Sequence, residues 1–232
     1  MKDVSENRKF IRSLGLRFAA EPAAQSRRRR TLLKRNAYCR TQTDALLRNV
    51  DPSDTVIELG AGFGYISTLI AAKLGVRRIH AFEANPHMIR HIKATHAANG
   101  IETVEVVNAI LGPRKGMADF FVRGDFAASS IFPDRNGPPD DVIAVERIDM
   151  LDAQTVFDRI HPSVLVCDIV GAEADLLTQA DLSGLRLAVV ELYPKRIGSA
   201  GVKAVFGAMA AAGLIYFPKA SRANVLTFRR DW

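Results

Sequence analysis

The segment VIELGAGFGYIS, residues 56–67, sets three glycines at alternate positions, Gly60, Gly62 and Gly64, between one apolar run and another. A strand that ends in such a loop and continues as a helix can turn tightly, and it offers bare backbone against which a ligand can lie. The pattern therefore asks for an α/β arrangement in which strands and helices alternate. The rest of the chain keeps that rhythm. Residues 55–59, 77–82, 103–107, 163–167 and 185–191 read as strands, and 65–74, 86–98, 172–180 and 202–212 as helices. Residues 214–218 and 224–229 read as a closing hairpin, and MADFFVR (117–123) and VIAVERI (142–148) as extra strands. The expectation is a doubly wound, mostly parallel α/β sheet with an antiparallel C-terminal strand. Ligands of such sheets bind beyond the carboxyl ends of the strands, where the strand order reverses.

Charge divides the chain unevenly. Residues 1–50 carry 13 Lys and Arg against 4 Asp and Glu, whereas residues 51–232 carry 19 against 21. The expected organisation is a basic N-terminal arm and helix over 1–50, extended or partly ordered to residue 24 and helical over 25–50, followed by one domain over 51–232. The cluster at 27–35 suits an anionic partner such as nucleic acid, or else a solvated helix face. The first residues are charged where an apolar leader core would stand, and the uncharged stretch 204–217 is shorter than the roughly 20 residues of a membrane span. Cys39 and Cys167 form no metal-ligand spacing, so two reduced thiols and a cytoplasmic location are expected.

The ends of the first three strands carry complementary chemistry. After the glycine loop, the second strand ends in HAFEANP, placing Glu83 where a carboxylate can accept both hydroxyls of a ribose. The third ends in VVNAI, where Asn108 can hydrogen-bond an adenine edge and Ala109 leaves room for the ring. No phosphate-binding lysine or arginine clamp stands in these loops, which points to a nucleoside without a polyphosphate. Gly-x-Gly-x-Gly is also not the Gly-x-Gly-x-x-Gly of dinucleotide sites, since Tyr65 stands at the last position.

These residues resemble the class I S-adenosylmethionine-dependent methyltransferases. ELGAGFG is similar to their cofactor loop and FEANP to their ribose-binding segment. The resemblance implies a seven-stranded Rossmann-like sheet and S-adenosyl-L-methionine as cofactor, held by Glu58, Gly60, Ala61, Gly62, Gly64, Glu83, Ala84, Asn108 and Ala109. Glu58 would lie near the methionine end. A narrower resemblance, carried by LVCDIVGAEADLL (165–177), VVELYP (189–194) and RIDMLD, is to the FkbM family, mostly O-methyltransferases of sugar and polyketide hydroxyls. The chain departs from that family in having Val170 where Glu is usual, Tyr193 where His is usual, and Gly-Ala-Gly in the loop.

Methyl transfer is an in-line displacement governed by alignment, and a hydroxyl acceptor must also lose its proton. Asp168, after the fourth strand, is the favoured base or orienting group, with Glu191 and Glu173 in support; Glu173 also suits a first-turn helix acid. The expected substrate is a hydroxylated small molecule, sugar or carrier-bound intermediate. An RNA methyltransferase using the basic arm is the alternative, and a non-catalytic cofactor-binding module the third reading. The Gly/Pro-rich stretch 124–141, with Ser129 and Ser130, is a candidate lid. His87 and His91 are spaced i, i+4 but lack a third ligand, so no metal is expected.

Overall fold

The structure is a computed structural model that describes residues 10–21, 26–133 and 141–231. Its elements in chain order begin with β1 (Phe10–Ser13), β2 (Leu16–Ala19), α1 (Arg27–Lys34) and α2 (Arg40–Asn49). Next come β3 (Thr55–Leu59), α3 (Tyr65–Leu74), β4 (Arg78–Phe82), α4 (Pro86–Ala98) and β5 (Val104–Val107). β6 (Ile110–Gly112), β7 (Gly116–Arg123) and β8 (Val142–Asp152) then precede α5 (Ala153–Ile160), β9 (Val164–Cys167) and α6 (Glu173–Leu177). The chain closes with β10 (Leu187–Glu191), α7 (Pro194–Ala211), β11 (Ile215–Tyr216) and β12 (Val225–Arg229).

Seven strands form the central sheet in the order β11-β12-β10-β9-β3-β4-β5. β12 runs antiparallel to both β10 and β11, and the remaining pairs are parallel. The expected doubly wound α/β sheet is thus what forms. The chain winds outward from β3 through β4 to β5, then returns to β9 on the other side of β3. That reversal opens a crevice at the carboxyl ends of β3 and β9.

Alternate side chains of the central strands feed two cores, which explains why these strands are apolar throughout. Val56, Val164, Val166, Leu187 and Val189 face one core, together with side chains of α2 and α3. Ile57, Leu59, Leu165, Cys167, Ala188 and Val190 face the other, together with α5, α6 and α7. Cys39 and Cys167 are both free thiols.

Four features differ from the sequence reading. Residues 10–19, expected to be an extended arm, form a hairpin whose turn, Leu14-Gly15, has positive φ at both positions, as two-residue hairpin turns favour. Ile11, Leu16 and Phe18 from this hairpin, and Leu33 and Leu46 from α1 and α2, share the first core with β3. The single helix expected over 25–50 is two, because Asn36 and Cys39 adopt positive φ between them. The Asn36 side chain there accepts the Leu14 N–H at 2.6 Å and ties the break to the hairpin turn. Helix α5, absent from the sequence reading, starts where Asp152 caps the Thr155 N–H at 2.8 Å. Finally, the extra strands β7 and β8 pair with β6 in a separate three-stranded sheet in the order β6-β8-β7. Of the expected lid, residues 134–140 lie outside the described residues.

Candidate active site

The strand ends expected to converge do so. Backbone hydrogen bonds stitch them together: Gly60 and Ala61 donate to the Phe82 carbonyl, Glu83 to that of Val107, and Asp168 to that of Leu59. A cavity opens over them at the crevice. Gly60 has φ +87°, and a Cβ there would lie 2.0 Å from the Asp168 carbonyl oxygen, so the first glycine is what lets β3 and β9 end side by side. Gly62 has φ +59°, and its missing side chain leaves room for the Phe126 ring, 3.2 Å from where a Cβ would stand.

Of the sequence-derived cofactor residues, Glu58, Gly60, Ala61, Gly62, Glu83, Ala84 and Ala109 line this cavity. Gly64 does not. It is the left-handed N-cap of α3, packed against Ile92, and so shapes the turn from outside. Asn108 also stands outside the lining, because its amide donates to the carbonyls of Glu83 at 2.8 Å and Ala84 at 3.0 Å. Its amide Nδ2 thereby ties the β4 end, and Ala109 and Ile110 form the wall there.

Glu83 is buried, and each carboxylate oxygen already accepts one backbone N–H: Oε2 from Gly62 at 2.6 Å and Oε1 from Asn85 at 2.7 Å. A carboxylate offers about four lone-pair sites and the Ala84 backbone also contributes a hydrogen bond, so about one site remains for a ligand hydroxyl. Burial raises the Glu83 carboxyl to about 7, against the hydrogen bonds from Asn85 and Gly62 that lower it. Glu58 is also buried, and Ser67 hydrogen-bonds its carboxylate, yet its Oε2 has no partner among the described residues. Burial pushes this carboxyl up to about 8, with Glu83 and Asp168 adding repulsion. An orphaned buried oxygen on the wall of a cavity fits a cationic ligand group.

The opposite end of the cavity is built by residues that follow β9 and β10. Asp168 lines the cavity and accepts the Tyr193 hydroxyl on Oδ1 at 2.7 Å. Burial raises its pKa, while hydrogen bonds from Tyr193 and Gln42 lower it. Glu191 accepts the Gln42 side-chain N–H at 3.0 Å, and burial with repulsion from Asp168 and Glu173 raises it to about 7. Glu191 itself stands behind the lining, reached through Gln42, which does face the cavity. Glu173 is displaced from the expected role. It is fully buried, away from the cavity, and clamps the backbone N–H groups of Gly171 at 2.7 Å and Tyr193 at 2.8 Å. The clamp holds the 168–172 turn, in which Val170 takes the left-handed conformation (φ 51°), a strained choice for a β-branched residue facing the cavity.

Several lining residues escaped the sequence reading. Gln42 and Tyr38 come from the basic arm, and Phe126 comes from the 124–141 stretch. Gln42 had one signal: it precedes Ala45 and Leu46 by three and four residues on the buried face of α2, a place where a polar side chain needs a partner. Arg29 stacks over Phe126 at 4.2 Å and pairs with Asp125 at 2.9 Å, so α1 grips the roof. Ser129 and Ser130 also line the cavity beneath that roof. No lysine or arginine is among the lining residues described. His87 pairs with Glu146 at the surface whereas His91 is buried, so the i, i+4 pair does not converge.

Comparisons with known proteins agree with this geometry. Residues 36–122 match the model of the methyltransferase small domain. No curated protein sequence matches the chain. The fold is similar to methyltransferase FkbM from Methylobacillus flagellatus KT (12% identity, TM-score 0.51, covering 86% of this chain and 53% of that one). It is similar also to Trm5b from Pyrococcus abyssi (11% identity, TM-score 0.51, covering 95% and 55%). A precorrin-6y C5,15-methyltransferase from Geobacter metallireducens GS-15 aligns at 14% identity with TM-score 0.48, covering 82% and 86%. The chain spans about half the length of the first two. The sheet, the glycine turn and the family model together define the class. This is an S-adenosylmethionine-dependent methyltransferase with a Rossmann-like sheet.

Proposed function

We propose that the enzyme methylates a hydroxyl group, borne by a sugar, another small molecule or a carrier-bound intermediate. The observation that carries this reading is Asp168, a buried carboxylate at the carboxyl end of β9 that faces the cavity and is fixed by the Tyr193 hydroxyl. The sequence resemblance of residues 165–177 and 189–194 to the FkbM family supports the hydroxyl as acceptor.

The residues present fit the cofactor. Glu83 would hold the ribose through its remaining acceptor capacity, with Ala84 and Ala109 against the nucleoside. The bare backbone at Gly60–Gly62 would pass beneath it. Glu58, with its unpartnered oxygen, would meet the cationic amino group of the methionine moiety. Bound there, the cofactor supplies an electrophilic methyl carbon on a sulfonium.

Asp168 then does the protein's share of the chemistry. Its carboxylate would accept a hydrogen bond from the acceptor hydroxyl, align that oxygen, and take the proton as the O–C bond forms and the S–C bond breaks, leaving a neutral thioether. Burial holds its basicity above that of a solvated aspartate, which favours proton uptake. Tyr193 and Gln42 keep the carboxylate in one orientation. Among the described residues the wall holds no lysine or arginine to oppose the positive charge of the cofactor.

Asp168→Asn tests the assignment. The variant should keep cofactor affinity by calorimetry and lose about 100-fold or more in turnover, the scale of a removed general base. Undiminished turnover of a hydroxyl acceptor would remove Asp168 from the mechanism.

A further inference from the structure

Helix α1 carries six cations in nine residues, Arg27–Arg30 with Lys34 and Arg35, and they serve two separate purposes. Arg29 and Leu33 are buried and Arg30 is half-buried. Arg29 holds the cavity roof through Asp125 and Phe126, and Arg30 donates to the Ala20 carbonyl. Arg27, Arg28, Lys34 and Arg35 are all exposed, with exposed Thr31 between them. At 100° per residue these five positions fall within an arc of about 120°, on the side opposite Arg29 and Leu33. No side-chain ion pair engages any of the four cations among the described residues, whereas Arg29 and Arg40 each have an acidic partner. The helix has no acid in its first turn.

The spacing of this stripe selects among anions. Arg27 and Arg28 form one pair and Lys34 and Arg35 another, separated along the axis by about 10 Å. One phosphate group cannot bridge that distance, but consecutive phosphates of an extended strand can. We infer that the outer face of α1 docks the phosphodiester backbone of single-stranded RNA, and that the acceptor hydroxyl reaches the cavity on that strand. This rests on the hydroxyl reading above and takes the sugar acceptor to be a ribose of that strand, in place of a free small molecule or a carrier-bound intermediate. Backbone contacts of this kind fix position, not sequence, while the target group is read inside the cavity. The roof contact explains why the dock stands here: through Arg29 the helix that would hold the strand is the helix that holds Phe126 over Gly62.

The test is fluorescence anisotropy of a labelled 20-nucleotide oligouridine titrated with the full chain at 50 and 200 mM salt, beside the variant R27A/R28A/K34A/R35A. Four phosphate contacts on a single strand predict a log–log salt slope near −2.8, or about a 50-fold loss of affinity over that range. The variant should bind at least about tenfold more weakly at 50 mM salt with a nearly flat salt response. All four side chains are exposed, so its circular dichroism and cofactor affinity should match those of the parent. Equal binding by the variant, no binding by the parent at 50 mM, or binding of anionic phosphatidylserine vesicles in place of RNA would overturn the inference. Calorimetry with S-adenosylmethionine separates the two readings. Cofactor binding without RNA binding sinks the dock alone, and RNA binding without cofactor binding sinks the methyltransferase site.

Discussion

Glu58 gives the sharpest quantitative expectation, because its environment is fixed by the fold and not by an unidentified acceptor. Its carboxyl is displaced from an ordinary value of 4.5 to about 8, principally by burial. The sign follows from proton linkage. Between those two values the unfolded chain has released the proton that the folded protein retains, so stability falls as pH rises and levels off above about 8. At about 1.4 kcal/mol per pH unit the full displacement corresponds to about 5 kcal/mol, and relaxation around the new charge lowers the realised cost to about 2–4 kcal/mol. Glu58→Gln keeps the shape and removes the titration. Urea unfolding of parent and variant at pH 5 and pH 9 measures the difference. The parent should lose about 2–4 kcal/mol relative to the variant between those conditions. Glu83, raised to about 7, titrates in both proteins, and its repulsion of Glu58 is part of the difference measured. Parallel pH profiles would refute the claim that burial holds the Glu58 proton in the folded protein.

Gly60→Ala forces a Cβ to within 2.0 Å of the Asp168 carbonyl oxygen at a φ of +87°. It should cost about 3 kcal/mol or more and lower the melting temperature by about 6–12 °C, and an unchanged melting curve would contradict the close approach. Glu83→Ala removes the acceptor of the Gly62 and Asn85 N–H groups and the ribose contact; cofactor affinity by calorimetry should fall about 10–100-fold, and an unaltered value would count against the assignment. Arg29→Ala frees the Phe126 roof from its stacked guanidinium and from Asp125. The KM for cofactor should rise about 5–10-fold with little change in kcat, and identical kinetics would show that the roof stands without α1.

What the sequence settled by itself is local. Strands β3 and β9 announce themselves as largely apolar runs, and α4 by Pro86 at its first turn and Asn99-Gly100 at its end, because such signals are complete within about ten residues. The order of strands and helices then puts Gly60, Glu83 and Asp168 at one rim whatever else the chain does. Tertiary structure decided what each side chain does at that rim. Asn108 and Glu173 occupy places where they read as ligand-facing groups, yet nearby backbone groups claim their hydrogen-bonding capacity. Gln42 meets Glu191 across 149 positions, and Arg29 meets Asp125 across 96. No periodicity encodes such partners, since a buried polar group is satisfied by whatever the fold brings within about 3 Å, irrespective of distance along the chain.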